Sequence, residues 1–421
     1  MIYICNKQTL IVQLIMKKAI KLLAVAALFA ACSSDDDSTI KEIKFTETET
    51  EIASNSPAFA VDLMRAVDGT FENNDKFVIS PFSASLALSM AMNGADGETY
   101  DQIADAMSLG DYSLDEINDY NKKIVDGITR LDKQAKMSIA NSVWLNEGFY
   151  PLETFSQRII KYYGAKSEML DFSNENAVGV INNWVSNETN GLIPQLYEQL
   201  NDGTKIVLAD AFYFKCPWHD KFDAKNTKVD KFYAYDGTVQ NVEFMKTKNV
   251  PYQYYCEDNK FRIFSLYLGK NKAFSMDFVE TANGVTLEEC AEMLDNGKLA
   301  EAYKNSYKRE GYSTFTIPKL NIDVNEVLDD ALLAMGVKDA YDDKKADFSK
   351  LADERLYLLE VRQANVFSID EDGGEAATVT GVQGGDVSAS MEHCIMNRPF
   401  LFFVRENKTN TILYAGKVNK I

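Results

Sequence analysis

Histidine is scarce in this sequence, and its scarcity excludes several classes of enzyme. Only His219 and His393 occur among the 421 residues. Two histidines exclude a histidine-rich zinc site and an HExxH metalloprotease, and they leave little room for a Ser-His-Asp triad. A GxSxG nucleophile elbow, a Walker phosphate-binding loop and a GxGxxG dinucleotide motif are also missing. The sequence therefore predicts no metal site and no cofactor, and it does not indicate an enzyme.

Basic residues are outnumbered by acidic ones. The chain has 44 Lys and Arg against 63 Asp and Glu, which gives a formal net charge of −19. Such a charge argues against a nucleic-acid partner, because the phosphate backbone would be repelled. With 46% hydrophobic and 11% aromatic residues the chain can still bury a large core, so a disordered polyacid is excluded.

The first 31 residues have the layout of a secretory signal peptide. A basic start at positions 16–18 precedes an apolar run over 22–31, and small residues follow. The run is too short to span a bilayer as a helix, which needs about 20 residues. Residues 1–15 precede a better start at Met16, so they are interpreted as an over-extended gene start.

Cys32 follows the apolar run in a sequence that resembles the lipobox of bacterial lipoproteins. Phe29 stands where that motif prefers leucine, and an acidic run at 35–37 follows the cysteine. The resemblance implies lipid attachment at Cys32 and an exported lipoprotein, anchored in the outer membrane or at the cell surface, with the periplasmic face left open. The alternative is an ordinary cleavable signal in which Cys32 is incidental.

Residues 32–54 are polar, acidic and free of glycine and proline, so we predict a solvated tether rather than core. No linker or repeat interrupts the chain beyond this segment. Residues 55–421 are therefore predicted to form a single domain.

Helical and strand patterns alternate along this domain. Tyr100, Ile103 and Met107 recur at helical spacing, and similar patterns occupy 181–188 and 327–335. Residues 206–214 are almost continuously apolar, interrupted only by Asp210, as expected of a central strand covered on both faces. Polar turns at 269–272 and 406–410 separate apolar runs and predict two β-hairpins. The class is therefore α+β with large sheets.

The segment between Ile369 and His393 suits both a loop and a strand. It contains five glycines and reads as an exposed loop of about 20 residues, a length that is usually functional. Yet it holds β-branched residues and no proline. Every second residue forms an uncharged row, and the opposite row starts with Glu375. The uncharged row consists of Gly374, Ala376, Thr378, Thr380 and Val382.

A series of motifs in a fixed order resembles the serpin family over essentially all of residues 57–421. Each motif is weak alone, but together and in order they are very specific. The motifs lie at 77–83, 93–99, 141–144, 181–185, 211–218, 315–319, 335–337, 346–349, 371–380, 397–402 and 416–418. The resemblance implies a fold of three β-sheets, about eight to nine helices and an exposed reactive-centre loop, and it implies a monomer.

The resemblance also implies inhibition by a one-shot trap. A protease would attack residues 373–391 as bait and form a covalent acyl-enzyme, and the cleaved loop would insert into the main sheet as a new strand. The hinge of this loop would be Gly373, Gly374, Glu375, Ala376, Ala377, Thr378, Val379 and Thr380. The residues implied to control opening of the sheet are Ser80, Ser83, Asp210, Trp218 and Gln363.

This chain departs from the family at several of these positions. The family usually has Thr or Ser at the position that Gly374 occupies here, and Ala at the positions of Thr378 and Val379. Glycine costs roughly 0.5–1 kcal/mol in a strand relative to alanine, so insertion could slow and the protein could become a substrate. Asp210 and Gln363 stand where the family often pairs Asn with His. They either form a replacement hydrogen bond or are two unrelated changes.

Counting forward from Gly373 by the loop length that is common in the family places the attacked bond at Val387-Ser388. Counting back from Pro399 places it one residue later, at Ser388-Ala389. Both choices put a small side chain in the primary pocket of the protease. No Lys or Arg lies between Arg362 and Arg398. We therefore expect elastase-like serine proteases as targets, with papain-like cysteine proteases as a second class, and not trypsin-like proteases.

One alternative function stays open. A non-inhibitory serpin-fold protein would act as a carrier, chaperone or decoy and would simply be cut by the protease.

The pairing of four further cysteines also stays open. The cysteines Cys216, Cys256, Cys290 and Cys394 allow three disulfide pairings, and buried free thiols are the default expectation.

Overall fold

The computed structural model describes residues 42–71, 75–200, 203–248, 250–309, 313–358, 360–373 and 392–421. Ten α-helices lie within them. Several begin at a side-chain cap, and α1, α5 and α8 each have a complete capping box built on Thr46, Ser113 and Thr286. The helices are α1 (Glu47–Ser54), α2 (Ser56–Asp68), α3 (Pro81–Met92), α4 (Gly97–Ala106), α5 (Leu114–Ile128), α6 (Glu153–Tyr163), α7 (Ala177–Glu188), α8 (Leu287–Leu294), α9 (Lys298–Asn305) and α10 (Asp329–Ala334).

The same residues contain sixteen β-strands. They are β1 (Lys76–Ile79), β2 (Lys136–Asn146), β3 (Lys166–Leu170), β4 (Ile206–Lys215), β5 (Lys228–Tyr233), β6 (Val239–Lys248), β7 (Tyr252–Glu257), β8 (Phe261–Leu268), β9 (Phe274–Thr281), β10 (Tyr307–Arg309), β11 (Ser313–Pro318), β12 (Leu320–Val327), β13 (Arg362–Ile369), β14 (Glu392–Ile395), β15 (Phe400–Glu406) and β16 (Ile412–Val418). Both predicted hairpins are confirmed, as β8–β9 and β15–β16.

The strands form three main sheets, one of which is split. A seven-stranded sheet has the order β1-β16-β15-β9-β8-β7-β10, and a four-stranded sheet has the order β14-β11-β6-β5. The third sheet consists of a three-stranded part, β3-β2-β4, and a two-stranded part, β12-β13. The expected α+β class with three sheets is therefore confirmed.

The prediction of a strand at 206–214 that is covered on both faces is confirmed by β4, although β4 ends the three-stranded part of its sheet and does not lie inside it. Its alternate residues pack into two different apolar clusters: Phe212 and Phe214 join the main core, whereas Val207, Ala209 and Ala211 join a second cluster. Apolar side chains therefore cover both faces of the strand, which explains why the segment carries almost no polar residues.

The end of the predicted tether is folded, which differs from the expectation. Helix α1 covers Glu47–Ser54, and its residues Ile52 and Ala53 are buried in the main core. Before it, the ring of Phe45 lies 5.6 Å from that of Tyr120 on α5. The segment has few apolar residues, and for that reason it was not predicted to be helical. A short helix nevertheless forms there, because it needs to bury only one narrow face. The rest of the tether, up to residue 41, lies outside the described residues.

Within the described part of the chain all four cysteines are free thiols. Cys216, Cys290 and Cys394 are buried, as expected, whereas Cys256 is exposed. Burial raises the pKa of Cys216 and of Cys394, and it raises that of Cys290 to about 12, so these thiols stay protonated. Among the described helices, none has the length and apolar character needed to cross a bilayer.

Candidate functional site

The split in the third sheet is the central feature of the candidate site. Strands β4 and β13 end its two parts, and among the described strands no hydrogen-bonded register joins them. They are nevertheless neighbours, since Val207, Ala209 and Ala211 of β4 share an apolar cluster with Ala364 of β13. Residues 213–215 of β4 and residues 366–369 of β13 both line a cavity of about 90 Å³. We call the space between these two strands the insertion slot.

Helix α7 covers one face of the slot. Its residues Ile181 and Val185 are fully buried in the cluster that β4 and β13 share. The connection that follows the helix is held to it by Asn182, whose side-chain oxygen accepts from the N–H groups of Leu196 and Tyr197 at 2.9 and 3.0 Å. The slot is thus enclosed by apolar side chains on the α7 side.

Trp218 lies just beyond the end of β4 and anchors the segment that leads into the predicted hinge. Its indole Nε1 donates to the carbonyl of Asp370 at 2.8 Å, and its backbone N–H donates to the carbonyl of Asp372 at 3.1 Å. The N–H of Phe222 donates to the carbonyl of Glu371 at 3.2 Å. The indole ring packs edge-on against Phe222 at 5.4 Å. Residues 370–372 are therefore fixed at the entry end of the slot.

Gly373 occupies a position that only glycine fits. Its φ is +68°, and an added Cβ atom would lie 2.5 Å from the nitrogen of Trp218 and 2.9 Å from the oxygen of Cys216. Both the backbone conformation and the close approach to main-chain atoms exclude a side chain. Gly373 is the one residue of the predicted hinge within the described part; residues 374–380 lie outside it.

Side chains reinforce this anchor. The carboxylate of Glu371 lies 3.0 Å from Nζ of Lys319 and accepts a hydrogen bond from Oγ1 of Thr227 at 2.6 Å. Burial tends to raise the pKa of Glu371, but the hydrogen bonds from Thr227 and Lys319 hold that pKa below its ordinary value. The Glu371 carboxylate also raises the pKa of Lys319, so both groups are charged at neutral pH. Lys221 pairs with Asp372 at 3.2 Å on the same segment.

A second set of contacts ties β13 to helix α3. The side-chain oxygen of Gln363 accepts from the N–H of Ser80 at 2.8 Å, and its Nε2 donates to the carbonyl of Ser80 at 2.9 Å. Ser80 caps α3, since its Oγ accepts from the N–H of Ser83 at 3.1 Å. Nδ2 of Asn365 donates to Gln363 at 2.8 Å. All four residues are buried.

The structure therefore brings Ser80, Ser83 and Gln363 together at one place and Trp218 at another. The backbone of Asp210 lies in β4 and pairs with Asn141, but the Asp210 side chain lies outside the described residues. Its hydrogen bond to Gln363 stays a prediction. Cys32 and the candidate scissile residues Val387, Ser388 and Ala389 likewise lie outside the described part.

Sequence reasoning missed Asn365 and Thr227 as parts of this site, and it placed Lys319 and Glu371 in two motifs without predicting that they pair. Asn365 could have been found, because it and Gln363 are polar residues that alternate with the apolar Ala364 and Val366 in β13. The other three come from distant segments, and no local pattern links them.

The contacts described at this site are made mainly to main-chain atoms. Across the described residues no set of three or more His, Cys, Asp or Glu side chains is placed to hold a metal ion. The ring of His219 is used structurally, with Nδ1 2.9 Å from the carbonyl of Gly269, and His393 is exposed. An extended segment that entered the slot could pair with β4 on one side and β13 on the other.

Comparison with known proteins gives a consistent match. The sequence model described as "Serpin (serine protease inhibitor)" matches residues 54–421. Serpin B3 of Homo sapiens is 30% identical over 383 residues, which cover 85% of this chain and 96% of that protein. The crystal structure of the thermophilic serpin tengpin in the native state is similar with a TM-score of 0.80 at 29% identity, covering 90% of this chain and 96% of tengpin. A structure of thyroxine-binding globulin in complex with thyroxine has a TM-score of 0.77 at 25% identity, covering 88% and 99%.

Proposed function

Because this chain belongs to the serpin family, we propose that it inhibits a protease by presenting residues 373–391 as a bait loop. The nucleophile of the protease adds to the carbonyl carbon of residue 387 or 388. The peptide bond then breaks, the amine of the next residue leaves with a proton, and an acyl-enzyme forms. The freed segment that follows Gly373 enters the insertion slot as a strand and displaces the protease before water hydrolyses the ester or thioester.

The insertion slot is the observation that carries this proposal. Two adjacent strands of the same sheet, β4 and β13, lack a shared hydrogen-bonded register among the described residues. A strand placed between them gains backbone hydrogen bonds on both edges, each contributing about 0.5–1.5 kcal/mol net. The anchor at Trp218 fixes the incoming segment at the end of the slot where pairing would begin.

The composition of the loop supports insertion. The row Gly374, Ala376, Thr378, Thr380 and Val382 carries no charge. On the main-core side of the slot lie Phe212 of β4 and Phe367 of β13, so a charge turned toward that side would be buried among rings. Burying an unpaired charge there would cost several kcal/mol. Glu375 is on the opposite row and does not turn toward these rings.

We propose elastase-like serine proteases as targets, with papain-like cysteine proteases as the second class. Val387 and Ser388 are small residues that suit a shallow primary pocket, and the loop has no basic residue for a trypsin-like pocket. Mixing the protein with elastase and with trypsin in parallel tests this on a denaturing gel. We expect a covalent band with elastase alone; a band with trypsin alone contradicts the target class, and complete cutting without a band contradicts inhibition.

A non-inhibitory binding or decoy protein is the second candidate function. Gly374 favours it, because glycine weakens a strand at the position that inserts first. The similarity to thyroxine-binding globulin in complex with thyroxine shows that a chain of this fold can carry a small ligand. In that case the protease cuts the loop and is released active.

We further propose that the protein is exported and lipidated at Cys32, which anchors it to the outer membrane or the cell surface. The signal-like segment 1–31 and the lipobox-like sequence around Cys32 support this location. Growth with labelled palmitate tests it, because Cys32→Ala should lose the label whereas Cys256→Ala should keep it. Equal labelling of both variants would contradict lipid attachment at Cys32.

A further inference from the structure

A groove of about 700 Å³ lies beside β14, the strand that follows the bait loop. β14 is at the edge of its four-stranded sheet. The connection between β9 and α8, including Asn283 and Thr286, also lines the groove, as does Phe400. We call this feature the β14 groove.

The groove exposes residues of the kind that dominate protein interfaces. Tyr235 is 58% exposed and Ile395 is 41% exposed, although both are large and mainly apolar. Arg398 is exposed as well. Tyrosine and arginine are enriched among the residues that carry most of the binding energy at interfaces. A wall that exposes this combination is typical of a docking surface.

The charge of the Arg398 guanidinium is not neutralised by a carboxylate of the described residues. Its Nη1 donates to the neutral side chain of Asn283 at 3.1 Å. The groove contains two carboxylates, but Glu280 pairs with Arg262 and Glu288 pairs with Lys417 at 2.8 Å. Among the described residues no carboxylate forms an ion pair with Arg398. An acidic group on a partner could therefore pair with it.

We propose that the β14 groove is a docking surface for the protease that attacks the bait loop, which rests on the proposed function. Ser388 is five residues before His393, so the attacked bond lies within about 17 Å of β14 at 3.3–3.4 Å per residue. A protease of about 230 residues has a radius of gyration of about 17 Å, so its body overhangs β14 when it holds this bond. The surface it presents carries a carboxylate toward Arg398 and apolar side chains toward Tyr235 and Ile395.

The test compares how fast protease attacks the loop in matched variants of the full chain. Tyr235→Ala combined with Arg398→Ala removes two anchors, and Ile395→Glu is an independent single change at the third. Tyr150→Ala is the control, because Tyr150 is 71% exposed and lies in the connection between β2 and α6. The second-order rate constant for loss of intact chain is measured with elastase and with papain, and it counts both the covalent complex and the cut chain.

We expect the double variant and Ile395→Glu to be attacked about tenfold more slowly than wild type, with the control within twofold. The ratio of covalent complex to cut chain should not change. Attack at the wild-type rate in both groove variants overturns this proposal and assigns the groove to another occupant, while inhibition stands if the covalent band persists. Wild-type chain that is cut without a band contradicts inhibition, yet slower cutting of the groove variants would still support the docking surface. A wild-type chain that neither protease attacks overturns both proposals.

Discussion

Replacing Gln363 with alanine should loosen the contact between β13 and helix α3. The change removes both hydrogen bonds to Ser80 and the one from Asn365. It leaves the buried N–H of Ser80 without this partner, at about 1–3 kcal/mol, and each of the other two lost bonds costs about 0.5–1.5 kcal/mol, since the C=O of Ser80 still accepts from the N–H of Ala84 at 3.0 Å. We therefore expect a loss of about 3–5 kcal/mol in the free energy of unfolding. For about 380 folded residues the entropy of unfolding is about 0.8 kcal/mol/K, so the melting temperature should fall by about 4–6 °C.

Calorimetry of the purified protein measures this shift. Gln157→Ala is the matched control, because Gln157 is exposed on α6 and donates to Glu153 at 2.8 Å. It should melt within about 1 °C of wild type, since exposed substitutions change stability by about 0.5 kcal/mol or less. A fall of less than 1 °C for Gln363→Ala would refute the reasoning, because the groups of Ser80 would then have found other partners.

Three further outcomes are expected. Thr378→Glu places a charge on the uncharged row and should turn inhibition into cutting, whereas the uncharged Thr378→Ser should keep at least half of the covalent band on a gel. Burial raises the pKa of Asp329 to about 6, above its value in the unfolded chain, so the native state loses stability as pH rises from about 4 to 6. Between pH 4 and pH 7, Asp329→Asn should therefore lose about 1–2 kcal/mol less stability than wild type, as measured by thermal melts at the two pH values. An equal pH dependence of wild type and variant would contradict this expectation. Glu371→Gln breaks the charge pair with Lys319 and should hasten loss of inhibitory activity on storage at 37 °C severalfold, while unchanged storage stability would show that the backbone anchor suffices.

Periodicity predicted the parts of the fold whose burial is local and regular. The continuous apolar run of β4 and the polar turn between β8 and β9 are confirmed at nearly the expected residues. Both patterns report how one strand meets its immediate surroundings, and this is what spacing encodes. The order of motifs then added the family, and with it the three sheets.

The contacts at the site were less accessible from sequence. The anchor at Trp218 consists mainly of bonds to the main-chain oxygens of residues 370–372, which every residue type has. The pair Lys319 and Glu371 joins segments that are far apart in the chain. Helix α1 escaped prediction because it buries little more than Ile52 and Ala53, although the Thr46 and Glu49 of its capping box were visible in the sequence.

The hydrogen bonds beside Trp218 fix the chain at residues 370–372, just before the proposed bait loop begins. In the proposed inhibition, pairing runs from Gly374 toward the cut, so the residue bonded to the protease is the last to arrive. Thirteen residues laid down at 3.3 Å each would carry that residue about 40 Å, roughly the width of the protease itself. The distance over which the protease would be moved is therefore set by the number of residues between this fixed end and the cut. Deleting two of these residues would shorten that distance by about 7 Å.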